Sequence, residues 1–181
     1  VRRNRRQLQG DLDLVKKNEE LLAQGKPKLA FPVLYGPSGL ADWEHTDGRV
    51  AEQAVRVLSR ESEKPLFLAI GFTRTHLAFT APDKYFDLYP ADKIQLPKNP
   101  HGDGLDTSRL SGQSHSQLLQ DENKLREVIA AQYATASFVD AQIERVLTSL
   151  QRSKRADNTI VVVWSDHGFQ LGEHFILRKN V

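Results

Sequence analysis

From Asp47 onward, Val50, Ala51, Ala54, Val57 and Leu58 recur at intervals of three and four, the spacing that lines one face of an α-helix. Thr46 or Asp47 is available as an N-cap, and the pattern predicts a helix of about three turns. A longer helix is predicted from Asp121 to Ser153. There Leu125, Val128, Ile129, Ala136, Val139, Ile143, Val146, Leu147 and Leu150 fall on one face and charged residues on the other. Two further stretches break this rhythm. Leu66–Phe72, opened by Pro65, and the β-branched run Thr159–Trp164, entered through Asp157-Asn158, are continuously apolar, which predicts strands buried on both faces.

Polar and turn-forming segments divide these elements. Asp11–Gln24 carries Leu12, Val15, Leu21 and Leu22 among charges and ends at Gly25 and Pro27, a short helix and its stop. Lys26–Asp42, rich in Pro and Gly, is expected to be an irregular connection, and Thr73–Gln120 a long ordered loop or lid. The chain thus reads as one domain in four parts: 1–46 helix and connection, 47–72 helix and strand, 73–120 long loop, and 121–181 helix, strand and turn. That order predicts an α/β protein with a mostly parallel sheet and flanking helices, whose ligands bind beyond the carboxyl ends of the strands.

With 39% hydrophobic and 27% charged residues over 181 positions, the composition is that of a folded protein. The net charge of +2 is small. The cluster Arg2, Arg3, Arg5 and Arg6 reads as a solvated end rather than a polyanion-binding arm, so no nucleic-acid partner is expected. No stretch is apolar for long enough to span a bilayer. The absence of Cys excludes thiolate catalysis and thiolate metal ligands within these residues. The absence of Met points to a piece of a longer protein.

Chemistry concentrates at the ends of the two apolar runs. The second leads into Ser165-Asp166-His167-Gly168, where a carboxylate beside an imidazole can offer two ligands to one metal ion and Gly168 lets the chain turn away. Carboxylates suit Ca²⁺ or Mg²⁺ and imidazole suits Zn²⁺, so spacing leaves the metal open. Glu173, His174 and Lys179 follow closely enough for an anion and its counter-charges to meet in one loop. His174 reads as supporting the site or binding substrate rather than the metal. At the end of the first run Arg74 and His76 offer a cation and an imidazole to an anionic substrate. His45, His101 and His115 sit in polar sequence without partners at suggestive spacing.

These residues carry a family likeness. The stretch from Ser165 to His174 resembles the late metal-binding motif of sulfatases of the iduronate and choline sulfatase kind, in the alkaline phosphatase-like superfamily. Lys64–Phe72, His76 and Ala81–Phe86 are similar to that family's central strand and substrate loop, and Tyr133–Ile143 to the helix before its motif strand. The likeness runs over most of the chain from about Asp47. It implies a partial alkaline phosphatase-like sandwich, with Asp166 and His167 ligating one Ca²⁺, His76 contacting the ester near its leaving oxygen, and Lys179 neutralising sulfate charge. It also implies a sulfated small molecule or carbohydrate as substrate and a periplasmic, secreted or lysosomal setting.

Two departures stand out. Arg74-Thr75 replaces the family's Lys-Pro ahead of the histidine, keeping the cation and losing the proline. The motif that yields the formylglycine nucleophile, a Cys or Ser followed by Pro or Ala and an Arg, is absent, as is the family's early acidic metal-binding pair. The expectation is therefore an internal segment that is inactive alone and needs the remainder of the sulfatase domain. Two other readings accompany it: a two-zinc phosphodiesterase or phosphatase of the same superfamily, and a non-catalytic sulfatase-like module.

Overall fold

The computed structural model describes residues 35–98, 121–177 and 179, together with Glu20, Ala23 and Gln24. The expected helix over 11–24, apart from those three residues, and positions 99–120 of the expected loop lie outside the described residues, as do the arginine cluster, His101 and His115. The main elements are β1 (Tyr35–Pro37), α1 (Thr46–Leu58), β2 (Phe79–Ala81), α2 (Asp83–Phe86) and α3 (Glu122–Gln151). No helix among the described residues is long and apolar enough to cross a membrane.

The 30-residue α3 organises the rest. It begins where the Asp121 carboxylate accepts the Lys124 backbone N–H at 3.1 Å, satisfying one of the donors that a helix start leaves unpaired. Its buried stripe meets different neighbours along its length. Leu125, Val128 and Ile129 pack with Phe79, Ile94, Leu171 and Leu177; Ala134 and Phe138 pack with Ala81 and Tyr85; Val146 packs with Ala51, Ala54 and Leu58 of α1. An Arg145–Glu52 ion pair at 2.9 Å joins α3 to α1 at the half-exposed edge of that last cluster.

The N-cap position of α1 is His45 rather than Thr46 or Asp47. Asp47 sits inside the first turn, only 2% exposed, with its carboxylate directed at another segment. Gly48 shows how closely this turn lies on the preceding one, because a Cβ there would stand 1.9 Å from the Asp42 carbonyl oxygen.

Strands form where the sequence pattern did not suggest them. β1 and β2 pair in parallel, with Tyr35 opposite Phe79, Gly36 opposite Thr80 and Pro37 opposite Ala81. β1 falls in the segment expected to be irregular, and β2 with α2 in the expected long loop. Three residues are too few to display a period, and Pro37 is tolerated at the end of an edge strand.

Conversely, the two runs expected as buried strands, Leu66–Phe72 and Thr159–Trp164, pair with nothing among the described residues. Phe67 is 94% exposed and Trp164 81%. A strand buried on both faces needs neighbours at both edges, and the described residues supply none to either run. Both runs instead line one open cleft, floored by the outer apolar side of α3 at Val139, Ile143, Leu147 and Leu150. The α/β class holds, with a sheet of two short strands among the described residues.

Candidate anion and metal site

Arg74, His76, Asp166, His167 and Lys179 all line this cleft. His76 is presented by a tight turn in which its backbone N–H donates to the Thr73 carbonyl at 2.9 Å. Lys179 Nζ lies 3.0 Å from His76 Nε2, and His76 Nδ1 lies 2.8 Å from the Leu77 carbonyl oxygen. An ammonium can only donate and a carbonyl can only accept. The tautomer compatible with both contacts donates from Nδ1 to Leu77 and accepts from Lys179 at Nε2.

Lys179 reaches His76 because the chain after the turn at 165–168 is anchored on the main core. Phe169 meets Phe79 edge-on at 5.3 Å, and Leu171, Ile176 and Leu177 are buried. The reversal between them depends on Gly172, whose φ of 112° suits only glycine and whose Cβ would crowd Leu125 at 3.2 Å and Pro97 at 3.3 Å. Glu173 fixes the same turn by accepting the Leu171 N–H at 2.5 Å. His174 belongs to this turn, in a left-handed conformation with φ 53°, and is not among the residues that line the cleft.

Asp166 and His167 hold each other at the exposed turn. Asp166 Oδ1 accepts the His167 N–H at 3.0 Å, and His167 Nδ1 lies 2.8 Å from the Gly168 carbonyl oxygen. A proton on Nδ1 would be directed at Gly168, and Nε2 lies 3.5 Å from Asp166 Oδ2. A separation of 3.5 Å would let both atoms sit as neighbouring ligands of one cation, and bonds of about 2.4 Å to Ca²⁺ or about 2.1 Å to Zn²⁺ allow it equally. Among the described residues no third His, Cys, Asp or Glu completes a metal-binding group with them.

Arg74 is more constrained than its place in a polar segment suggests. Its Nε donates to the Thr80 carbonyl at 3.0 Å and its Nη2 to Thr80 Oγ1 at 3.3 Å. Burial pulls the guanidinium below its ordinary range, while Asp47 opposes that shift.

Sequence reasoning missed two residues behind the site. Asp47, taken as a cap, accepts the backbone N–H groups of Thr73 and Arg74. His45, read as a loop residue without partners, is 1% exposed, lies 2.9 Å from Ser38 Oγ through Nε2, and stacks at a tilt on Phe138 with ring centroids 5.0 Å apart. Only its position just before a helix hinted at such a role.

An Asp166–His167 pair and a Lys179–His76 pair thus line the same cleft. The sulfatase family model matches residues 6–180. The chain is 36% identical over 141 residues to a sulfatase of Formosa agariphila, covering 74% of this chain and 28% of that protein. It is 30% identical over 145 residues to iduronate 2-sulfatase of Homo sapiens, covering 71% and 26%, and 29% identical over 137 residues to choline-sulfatase of Rhizobium meliloti, covering 68% and 26%. The chain belongs to the sulfatase family. It spans roughly a quarter of the length of these curated relatives, at 26–28%.

Proposed function

We propose that the protein to which this segment belongs hydrolyses sulfate esters, in the first instance those of sulfated sugars, with a formylglycine nucleophile supplied from outside these residues. The observation that supports this most directly is the 3.0 Å contact between Lys179 Nζ and His76 Nε2 in the cleft that also holds Asp166 and His167. An ammonium and an imidazole at hydrogen-bond distance can both reach the oxygens of one sulfate ester. Lys179 balances its charge, and His76, once protonated at Nε2, gives that proton to the departing alkoxide. A single Ca²⁺ held by Asp166, His167 and ligands from elsewhere in the domain would supply charge stabilisation on the sulfuryl oxygens. Arg74, tied to Thr80 through its guanidinium, serves the substrate side by shaping the turn that carries His76.

The remainder of the sulfatase domain is the partner this reading requires. Phe67, Ile160, Val162, Val163 and Trp164 are mostly exposed along the cleft, and strands supplied by the rest of the domain would cover them. The whole would then be the alkaline phosphatase-like sandwich, with a mostly parallel sheet between helices.

The test is metal content and turnover of the full-length protein. One Ca²⁺ per molecule and hydrolysis of 4-nitrophenyl sulfate are expected, with Asp166→Ala losing the metal and Lys179→Ala raising KM. Two Zn²⁺ per molecule would favour phosphoryl transfer instead, and unchanged metal content in Asp166→Ala would remove that residue from the ligand set.

A further inference from the structure

A carboxylate inside the first turn of a helix has a simple local use, interaction with the helix's own unpaired N–H groups. Asp47 is used otherwise. Its Oδ1 accepts the backbone N–H of Thr73 at 2.7 Å and its Oδ2 accepts that of Arg74 at 3.0 Å. Both oxygens of a side chain that is 2% exposed are thus engaged by consecutive peptide groups of a segment 26 and 27 residues away. Ionised acceptors form the stronger class of hydrogen bond, and two of them from one planar group fix orientation as well as position.

The contacts continue toward the cleft. The carbonyl of Thr73 accepts the His76 N–H at 2.9 Å, so the peptide groups gripped by Asp47 belong to the turn that presents the imidazole. On the other side, the Arg74 guanidinium is bound to Thr80 in β2, which pairs with Gly36 of β1. The turn at 73–76 is therefore held from α1 by a carboxylate and from the sheet by a guanidinium, while the His76 side chain is left exposed toward Lys179.

We infer that Asp47 is a positioning residue for the reaction: its carboxylate, clamped on the Thr73 and Arg74 N–H groups, sets where His76 meets the ester's leaving oxygen. This rests on the sulfatase reading given above. Asp47 lies behind the turn and acts through it.

The experiment compares full-length wild type, Asp47→Asn and Asp47→Ala. The isosteric Asn keeps one acceptor oxygen and turns an NH₂ group toward the other N–H, so it removes half of the clamp at nearly constant volume. Circular dichroism and a denaturation midpoint select conditions in which each variant is folded, and calcium content is measured on the same samples. Displacing a reacting group by about 1 Å costs on the order of 10²-fold in rate. Asp47→Ala is expected to lose about that much kcat on 4-nitrophenyl sulfate, and Asp47→Asn less, with KM and calcium content near wild type, because a leaving-oxygen contact matters mainly in the transition state. Amide hydrogen exchange of a peptide spanning Thr73–His76 should quicken in both variants.

If wild type is active and folded Asp47→Ala keeps its kcat within about twofold, the inference is wrong. If wild type does not cleave the aryl sulfate, the sulfatase reading fails, and exchange decides the clamp separately: faster exchange at 73–76 supports it and unchanged exchange overturns it.

Discussion

Phe67 offers the sharpest test of the proposed covering of the cleft. Its side chain is 94% exposed on a run whose composition is that of a buried strand. Truncating a side chain so exposed alters stability by no more than about 0.5 kcal/mol if the surroundings are as described. If strands from the rest of the domain cover the cleft, full burial of the ring contributes about 1.5–3 kcal/mol by transfer alone, and Phe67→Ala costs about 3–5 kcal/mol once the cavity is included. The assay is urea denaturation of full-length wild type, Phe67→Ala and Trp43→Ala. Trp43 serves as the reference because it is 67% exposed and does not line the cleft. A fall in the midpoint for Phe67→Ala, at unchanged slope and several times that of Trp43→Ala, is expected. Equal small effects of the two substitutions would refute the covered cleft.

Two further predictions concern the packed interior. Burial, and to a lesser degree the charge of Arg74, hold the His45 imidazole below its ordinary pKa. The unfolded chain then takes up a proton as pH falls through about 6.5 while the folded chain does so only lower down, so this contribution to stability is complete above that value and is lost on acidification below it. The midpoint of wild type should fall more steeply than that of His45→Gln between about pH 7.5 and 5.5, and parallel slopes would rule the group out. Phe138 is fully buried, with its ring 5.0 Å from His45 and 5.5 Å from Tyr85, so Phe138→Ala should cost about 3–5 kcal/mol in chemical denaturation.

Periodicity made α1 and α3 legible, because many residues repeat the same signal, and at the start of α3 Asp121 caps as local geometry requires. The runs at Leu66–Phe72 and Thr159–Trp164 misled for a physical reason. Apolar composition records the surroundings a segment calls for, whereas a strand exists only when a neighbour accepts its hydrogen bonds. β1 and β2 erred in the opposite direction, being too short to carry a pattern. At the site, Asp166 and His167 were visible as adjacent letters, and family likeness singled out His76 and Lys179 separately, but their contact came only from the structure, since no spacing rule joins them. Asp47 was hidden because its position satisfies a local rule while its carboxylate answers to a distant turn.

The separation of His76 and Lys179 has a kinetic meaning. They are 103 positions apart, and closing a loop of that length costs about 4 kcal/mol on the (3/2)RT ln n scale. One exposed hydrogen bond returns only about 1 kcal/mol, so the pair cannot draw its own ends together. The meeting of the two groups must follow condensation of Phe79, Phe169, Leu171 and Leu177 onto α3, and a ribosome-bound chain interrupted before the last of these residues would lack the Lys179–His76 contact however well its helices had formed.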